Sequence, residues 1–380
     1  MNFEFSKEHQ LLRNMLKEFA EKEVKPLAAE IDEEERFPRE TVEKLAKYGL
    51  LSLPYPKECG GAAADSIAFA MVIEEISKVC ATTGIIISTH CSLGTYPIYA
   101  YGTPYQKEKY LPGLASGTKL GAFGLTEPGA GSDAAAQQTK AVLVGDHYVL
   151  NGTKTFITNA GEADYYTIMA MTDRSKGTKG ISAFLVEKDF PGFRIGKHEK
   201  KMGIKGSSTG ELIFEDCIVP KENLIGQEGK GFKIAMEGLD AGRVGIGAMA
   251  LGIAQGALDE TIKYVKERKQ FGKRISEFQN TQFVLADLQA KVNAGRHLTY
   301  HAAWLKDQKK PYAYEAAMNK YYNSALASEV TTKCLQLFGG YGYMREYPLE
   351  RMVRDAKLTE IGEGTNEVLR MVMGRSMGVI

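Results

Sequence analysis

Apolar positions along the chain follow a helical period, lose it, and then regain it. Up to about residue 120 they recur at three- and four-residue steps within charged sequence, as at Phe19, Val24, Leu27 and Ile31. That spacing predicts helices. Pro38 breaks the first long pattern ahead of a helix over 41–51, and Pro54, Pro56 and Gly60-Gly61 mark a loop. Asp65 is placed to cap a helix running through Met71, Ile73 and Ile76. The mostly apolar stretch 82–101 predicts a buried helix. Thr103-Pro104 supplies a cap and a first-turn proline for another, reaching about residue 114.

From Gly121 the pattern becomes short β-rich runs: His147-Tyr-Val-Leu, Tyr165-Tyr-Thr-Ile-Met, Ile181-Ser-Ala-Phe-Leu-Val and Glu211-Leu-Ile-Phe. Gly145-Asp146 and Asn151-Gly152 are turn signals between them. No intervening stretch resembles a crossover helix, so a small antiparallel β-domain is expected rather than a doubly wound sheet. From Gly229 the helical period returns, predicting helices over 230–268, 276–308, 312–338, 348–358 and 366–378. The first of these holds Gly238, Gly242, Gly245, Gly247, Gly252 and Gly256. Each glycine weakens a helix by about 1 kcal/mol relative to alanine. So many in one helix predict close approach of a neighbouring helix or a ligand. The fold class is therefore α+β, with an N-terminal helical domain over 1–120, a middle β-domain over 121–228 and a C-terminal helical domain over 229–380.

Composition narrows the function. Net charge is +1 over 380 residues, with 44% apolar and 25% charged positions. No single-sign field is implied, which argues against nucleic acid or an anionic membrane as partner. No apolar run approaches the ~20 residues that span a bilayer, and the N-terminus shows no signal peptide, so a cytoplasmic location is expected. The five cysteines are scattered and odd in number. They read as reduced thiols, not a disulfide framework or zinc site. No His-x-x-x-His pair is present, and no metal site is expected.

Five stretches carry candidate chemistry. Glu363 stands between Gly362 and Gly364, which let the backbone bend sharply and aim a carboxylate into a cavity; alone, it also reads as a solvated acid in a turn. Thr365 is placed to cap a last helix. In Phe123-Gly-Leu-Thr-Glu-Pro-Gly-Ala-Gly-Ser-Asp133, Gly129, Gly131 and Ser132 offer N–H groups and a hydroxyl to a phosphate or ring oxygen, or form a plain glycine-rich loop. The spacing is not Gly-x-Gly-x-x-Gly, which rejects a dinucleotide-fold fingerprint. In Thr155-Phe-Ile-Thr-Asn-Ala-Gly161, Phe156 and Thr158 fall on one side of a strand, either an edge or a seat for a planar heterocycle. Arg268-Lys-Gln-Phe-Gly-Lys273 is a basic helix end or a phosphate clamp. Gln336-Leu-Phe-Gly-Gly-Tyr-Gly-Tyr343 is a glycine C-cap or a place where a nucleotide meets the backbone.

Taken together, and over essentially the whole chain, these stretches closely resemble the acyl-CoA dehydrogenase family. Gly124-Leu-Thr-Glu-Pro-Gly-Ala-Gly-Ser-Asp133 and the run from Gln336 through Glu346, Arg351 and Asp355 carry the likeness, nearest to the short-chain, butyryl-type members. The resemblance implies a helical domain, a β-domain and a C-terminal four-helix-type bundle, assembled as a homotetramer of paired dimers that binds FAD and an acyl-CoA thioester. Leu125, Thr126 and Thr158 match positions touching the flavin ring, Phe156 the aromatic beside it, and Phe123, Gly131 and Ser132 the adjoining contacts, Ser132 at the pyrophosphate. Arg268, Gln270, Phe271, Gln336, Gly339 and Gly340 match positions reaching the FAD of a neighbouring subunit. Thr365 and Glu367 match residues near its nucleotide portion. Asp240, Arg243, Ser132, Gly362 and Gly364 match the thioester surroundings, and Thr89, with His90, would close the acyl tunnel.

Glu363 matches the family's base, which takes the α-proton while hydrogen bonds polarise the thioester carbonyl. Reoxidation by an electron-transferring flavoprotein is likewise implied. One departure stands out: butyryl-type members carry tyrosine before the base, and here it is Gly362. Losing that ring predicts a wider pocket, open to branched, alicyclic or aromatic acyl groups. The alternative base site of isovaleryl-type members falls on Gly242, which has no side chain to serve. Other readings of the same residues are an enoyl-CoA reductase running the reverse reaction, a hydratase or isomerase using Glu363 without redox chemistry, and a flavin-free acyl-CoA-binding protein.

Overall fold

The computed structural model describes residues 4–379. Met1–Phe3, the start of the segment expected to carry no signal peptide, lie outside the described residues. Helices α1 (Lys7–Phe19), α2 (Ala28–Glu33), α3 (Arg39–Lys47), α4 (Ser66–Ser77), α5 (Ala81–Thr89), α6 (Tyr96–Tyr101) and α7 (Pro104–Ser116) come first. The expected caps are present. Asp65 accepts from the Ala68 N–H at 2.8 Å, and Thr103 and Gln106 form a reciprocal capping box at the start of α7. Two expectations shift. The 41–51 helix runs Arg39–Lys47, because the chain turns at Tyr48–Gly49. The 82–101 helix is interrupted by a π-helical stretch, His90–Thr95, that separates α5 from α6.

The sheet contains β1 (Gly121–Gly124), β2 (Lys140–Val144), β3 (His147–Thr158), β4 (Tyr165–Met171), β5 (Ile181–Glu187), β6 (Phe193–His198), β7 (Thr209–Pro220) and β8 (Leu224–Ile225). Their order is β6-β7-β3-β2-β4-β5-β8, with β1 on β4. Most pairs are antiparallel as expected, but β1 runs parallel to β4, and β2 meets β4 in a parallel bridge at Lys140 and Met171. The β-domain is thus mixed at its centre. The hairpin β9 (Lys269–Gln270) and β10 (Lys273–Arg274) follows α8 (Gly231–Glu267). Then come α9 (Gln279–Asp307), α10 (Ala313–Phe338), α11 (Leu349–Thr359) and α12 (Asn366–Ser376).

Helix α8 is the axis of the molecule. It packs against α4 and α5 of the first helical part and α9, α10 and α11 of the last. Ile246, Met249, Leu251 and Ile253 are all buried, each contributing roughly 1.5–3 kcal/mol over exposure. Its glycines set how near the neighbours come. A Cβ at Gly247 would lie 2.1 Å from Asn319 Nδ2, and one at Gly256 2.1 Å from Lys78 O. Gly238 is the exception, its Cβ position meeting only ordinary contacts at 3.7 and 3.8 Å. By length and composition α8 is long enough to cross a membrane, contrary to the sequence reading, but its most apolar window is 100% buried inside the protein.

The parts meet at Arg354 and Asp355 on α11. Arg354 donates to Asp32 of α2 at 2.5 and 3.0 Å and to the Met202 carbonyl of the β6–β7 connection at 3.1 Å. Asp355 accepts from the Ile204 N–H at 2.5 Å. Burial pushes the Asp355 carboxyl up to about 6.

Candidate active site

Between α11 and α12 the chain reverses within a single loop. Gly362 N–H donates to Leu358 O at 2.9 Å, Asn366 N–H to Glu360 O at 3.0 Å, and Thr365 caps α12 by accepting from the Val368 N–H. The reversal places Glu363 at φ +56° and Gly364 at φ +96°. A left-handed glutamate costs of order 1–3 kcal/mol and persists only where surrounding structure enforces it. Here it turns the side chain inward toward α8. Oε2 is buried and has no hydrogen-bond partner among the described residues. A Cβ at Gly242 would lie 2.1 Å from that oxygen, so the bare glycine is what admits the carboxylate. Burial raises the Glu363 pKa to about 7, against the downward pull of Arg243 and Lys320.

Arg243 donates from Nη1 to Asp240 at 2.7 Å and makes a long contact from Nε to the Glu363 carbonyl at 3.5 Å. Burial raises the Asp240 pKa, partly offset by Arg243. Among the described residues no carbonyl accepts from the Glu363 N–H. A carboxylate with one unpartnered oxygen, titrating near neutrality beside a backbone N–H that no carbonyl accepts, has the chemistry to take up a proton next to a hydrogen-bond donor.

The glycine-rich loop after β1 is pinned from below. Lys154, fully buried on β3, donates to Glu127 at 2.7 Å, to Leu125 O at 3.0 Å and to Gln137 at 3.1 Å. Glu127 in turn accepts from the Gln138 and Thr139 N–H groups at 2.5 and 2.9 Å. Desolvation drops the Lys154 pKa to about 8, against the pull of Glu127. Phe123 and Leu125 are buried, Thr126 is half-buried, and Gly131 and Ser132 are exposed. A Cβ on Gly129 or Gly131 would meet nothing within 4 Å.

Next to this loop, Phe156 sits in a β-bulge where the β3–β7 register shifts between Lys154 and Ile157. Its φ is +59° and its residue 65% exposed. Thr158 is half-buried, and the flanking Thr155 and Ile157 are buried. Phe156 and Thr158 thus share the open side, with a bulge rather than simple alternation orienting the ring.

A second group of predicted residues gathers elsewhere. Arg268, Gln270, Gln336, Gly339 and Gly340 line a cavity of about 590 Å³ with Tyr264 and Tyr341, and the Arg268 guanidinium lies 5.2 Å from the Tyr341 ring centre. Arg243 and Tyr264 are both on α8, so at 1.5 Å per residue this cavity lies about 30 Å from the Glu363 turn. Phe271 is 93% exposed and outside the cavity lining. Glu367 is exposed and paired with Arg370. Thr89 is buried in α5.

His90, expected beside Thr89 at the acyl tunnel, is buried with both ring nitrogens engaged. Its Nε2 bonds Leu114 O and its Nδ1 accepts from the Gly121 N–H, both at 3.1 Å. Burial lowers its pKa to about 4, so it is a neutral bridge between the π-helical stretch and β1.

Sequence reasoning missed Lys320. It is fully buried on α10, and its Nζ donates to Gly364 O at 2.6 Å and Asn366 Oδ1 at 3.5 Å. A signal was present: Ala316, Lys320, Ser324, Ala327 and Thr331 follow one helical stripe, all buried.

These features fit FAD. An open glycine loop offers unencumbered backbone, and a solvent-facing aromatic stands beside a half-buried hydroxyl.

Comparison with known proteins agrees. Residues 6–118, 122–217 and 229–378 match the N-terminal, middle and C-terminal domains of acyl-CoA dehydrogenase. The chain is 57% identical over 373 residues to a short-chain specific acyl-CoA dehydrogenase of Clostridium acetobutylicum, covering 98% of both. It is 51% identical to an acryloyl-CoA reductase (NADH) of Anaerotignum propionicum, covering 99% of this chain and 96% of that one. The structure of butyryl-CoA dehydrogenase from Megasphaera elsdenii superposes with a TM-score of 0.97 at 47% identity, covering 99% and 100%. With all three parts matched in order, the chain belongs to the acyl-CoA dehydrogenase family, whose members are FAD-dependent enzymes of acyl-CoA α,β-dehydrogenation.

Proposed function

We propose that this enzyme acts on short and α- or β-branched acyl-CoA thioesters, with Glu363 as the base that removes the α-proton. The observation that carries the reading is the buried, unpartnered Glu363 Oε2 held inward at a left-handed turn. A pKa of about 7 keeps roughly half the sites ionised at neutral pH, where general-base catalysis is most efficient. The Glu363 N–H is free to donate to the thioester carbonyl, lowering the energy of the enolate-like transition state. Arg243, tied to Asp240, braces the turn from α8. FAD, when bound, supplies the acceptor for the hydride that leaves the β-carbon. Leu125, Thr126, Phe156 and Thr158 would hold the ring, and Gly131 and Ser132 its diphosphate. Thr365 and Glu367 stand by the nucleotide end.

Gly362 sets the acyl range in this reading. The nearest atoms a Cβ there would meet belong to Leu358, at 3.6–3.9 Å, ordinary contact distances that leave room for a side chain at the turn. The cavity at Arg268, Gln270, Gln336, Gly339 and Gly340 lies too far along α8 to share a substrate with Glu363. That distance supports its serving, with Phe271, the FAD of a neighbouring subunit in a homotetramer. An electron-transferring flavoprotein is the proposed acceptor.

An anaerobic visible spectrum tests this, taken before and after butyryl-, isobutyryl-, 2-methylbutyryl- and cyclohexanecarboxyl-CoA. Bleaching by branched as well as straight chains is expected; bleaching by butyryl-CoA alone would sink the role given to Gly362. The likeness to an acryloyl-CoA reductase favours one second reading, the reverse reaction. A glutamate titrating near 7 serves it equally, as the acid returning a proton to the α-carbon. Faster turnover of crotonyl-CoA with reduced flavoprotein than of butyryl-CoA with oxidised flavoprotein would select it.

A further inference from the structure

Lys320 stands out because nothing in its surroundings requires a lysine. It is 0% exposed on the buried stripe of α10, where a methionine of equal length would fill the space without desolvating a charge. Among the described residues it forms no ion pair. Its hydrogen bonds go to two neutral oxygens, the Gly364 carbonyl at 2.6 Å and Asn366 Oδ1 at 3.5 Å. Ser324, one turn further along α10, holds the same Asn366 oxygen at 2.9 Å. These contacts land on the residue after Glu363 and on the first residue of α12. They therefore fasten the far side of the turn, while Arg243 reaches its near side from α8.

We propose that Lys320 is a positioning residue for the α-proton abstraction, holding the Gly364 carbonyl so that Glu363 stays in its left-handed, inward conformation and adding its positive charge to that of Arg243 beside the carboxylate. The proposal rests on Glu363 being the base. The charged groups around the pair are Asp240 and Arg243 from α8, Glu360 from the end of α11 and Glu367 from α12. Of these, Arg243 and Lys320 are the cations that favour an ionised Glu363, and burial opposes it. Arg243 is committed to Asp240, whereas Lys320 has no carboxylate of its own. Burial lowers the Lys320 pKa to about 8, and the nearby carboxylates, Glu363 first, pull it back up. Each group supports the ionised form of the other.

The test uses the FAD-loaded enzyme and two substitutions. Lys320→Met removes charge and donor together. Lys320→Gln removes the charge and keeps a donor for the Gly364 carbonyl. The readouts are kcat and KM for butyryl-CoA, and the titration midpoint of the infrared C=O band of protonated Glu363, assigned by its disappearance in Glu363→Gln. Lys320→Met should lose roughly 10²-fold in kcat with little change in KM, as expected for a displaced catalytic group, and its midpoint should move to higher pH. Lys320→Gln should regain much of the kcat and keep the raised midpoint. Wild-type kcat and midpoint in Lys320→Met overturn the proposal. If Lys320→Met does not fold, a wild-type midpoint in Lys320→Gln overturns it instead. Failure of the underlying reading looks different: full turnover in Glu363→Gln removes the base assignment itself, whatever Lys320 does.

Discussion

Changing Glu363 to glutamine takes one ionisable group out of a buried site and leaves the backbone turn in place. The carboxyl stands at about 7 in the folded chain against a usual 4.5. Below the lower value both folded and unfolded chains hold the proton, and the group adds nothing to stability. Between the two values the unfolded chain releases its proton while the folded one keeps it, so stability falls as pH rises through that window. Above about 7 the loss is complete, and at about 1.36 kcal/mol per unit it comes to roughly 3 kcal/mol.

Glutamine is neutral throughout and escapes this loss. Its buried amide brings an unsatisfied donor worth about 1–3 kcal/mol, but that term does not vary with pH. The informative quantity is therefore the stability of the variant minus that of the native protein, compared at two pH values. Between about pH 5 and pH 8.5 that difference should move by about 2.5 kcal/mol in favour of glutamine. Urea unfolding followed by circular dichroism measures it, at fixed protein and FAD concentrations because ligand binding adds its own stabilisation. A difference that is flat with pH, or that moves toward the native protein, would refute both the buried ionised carboxylate and the reasoning built on it. Activity moves the other way, with turnover expected to fall roughly 10²–10⁴-fold on loss of the base.

Further expectations are independent of that one. Since Glu363 must be ionised to accept a proton, kcat/KM should drop tenfold per unit as pH falls below about 7, and a pH–rate profile flat to pH 5 would contradict it. Gly242→Ala places a methyl where Glu363 Oε2 sits, so kcat should fall on the order of 10²-fold while the urea midpoint holds or rises; unaltered kcat contradicts the crowding. Lys154→Met strands Glu127 without its cation and should cost about 3–5 kcal/mol in urea unfolding, with less than about 1 kcal/mol counting against a structural ion pair. Arg268→Ala should weaken FAD retention on dilution, read by fluorescence of released flavin, without moving the acid limb of kcat/KM; a moved limb would tie the distant cavity to Glu363.

The long helices of the C-terminal part were legible because each declares itself locally. The apolar period runs within each segment, Thr365 adds a cap for α12, and α8 to α12 fall where the sequence places them. The crowded glycines of α8 were also readable as close approach, although not which neighbour each admits. Strands β1, β2, β6 and β8 and the β9–β10 hairpin were missed, the first two for different reasons. The β1 sequence Gly-Ala-Phe-Gly is buried at every position, so no alternation marks it, and it pairs in parallel with a strand more than forty residues away. In β2, Val142, Leu143 and Val144 are exposed in succession, which breaks the expected two-residue alternation. The bulge at Phe156 depends on pairing with β7 and has no local signature. Glu363 was visible because its own neighbours, Gly362 and Gly364, mark the bend. Lys320 was not, because its partner Gly364 lies 44 residues along the chain and only folding brings them together.

The contacts of Arg354 and Asp355 bear on how the molecule moves. Parts of a chain joined by modest interfaces flex against one another by default. Here one guanidinium grips a carboxylate from the first helical part and a carbonyl from the β6–β7 connection, and the next residue holds an amide of that same connection in the dry interior. Swinging either part away would leave a buried ionic group without its partners, a much larger loss than an exposed contact. Clamshell opening is thereby disfavoured. Exchange of the Ile204 amide with solvent should accordingly be as slow as unfolding of the whole protein, and traffic at the site should be governed by side-chain rotation rather than by breathing between domains.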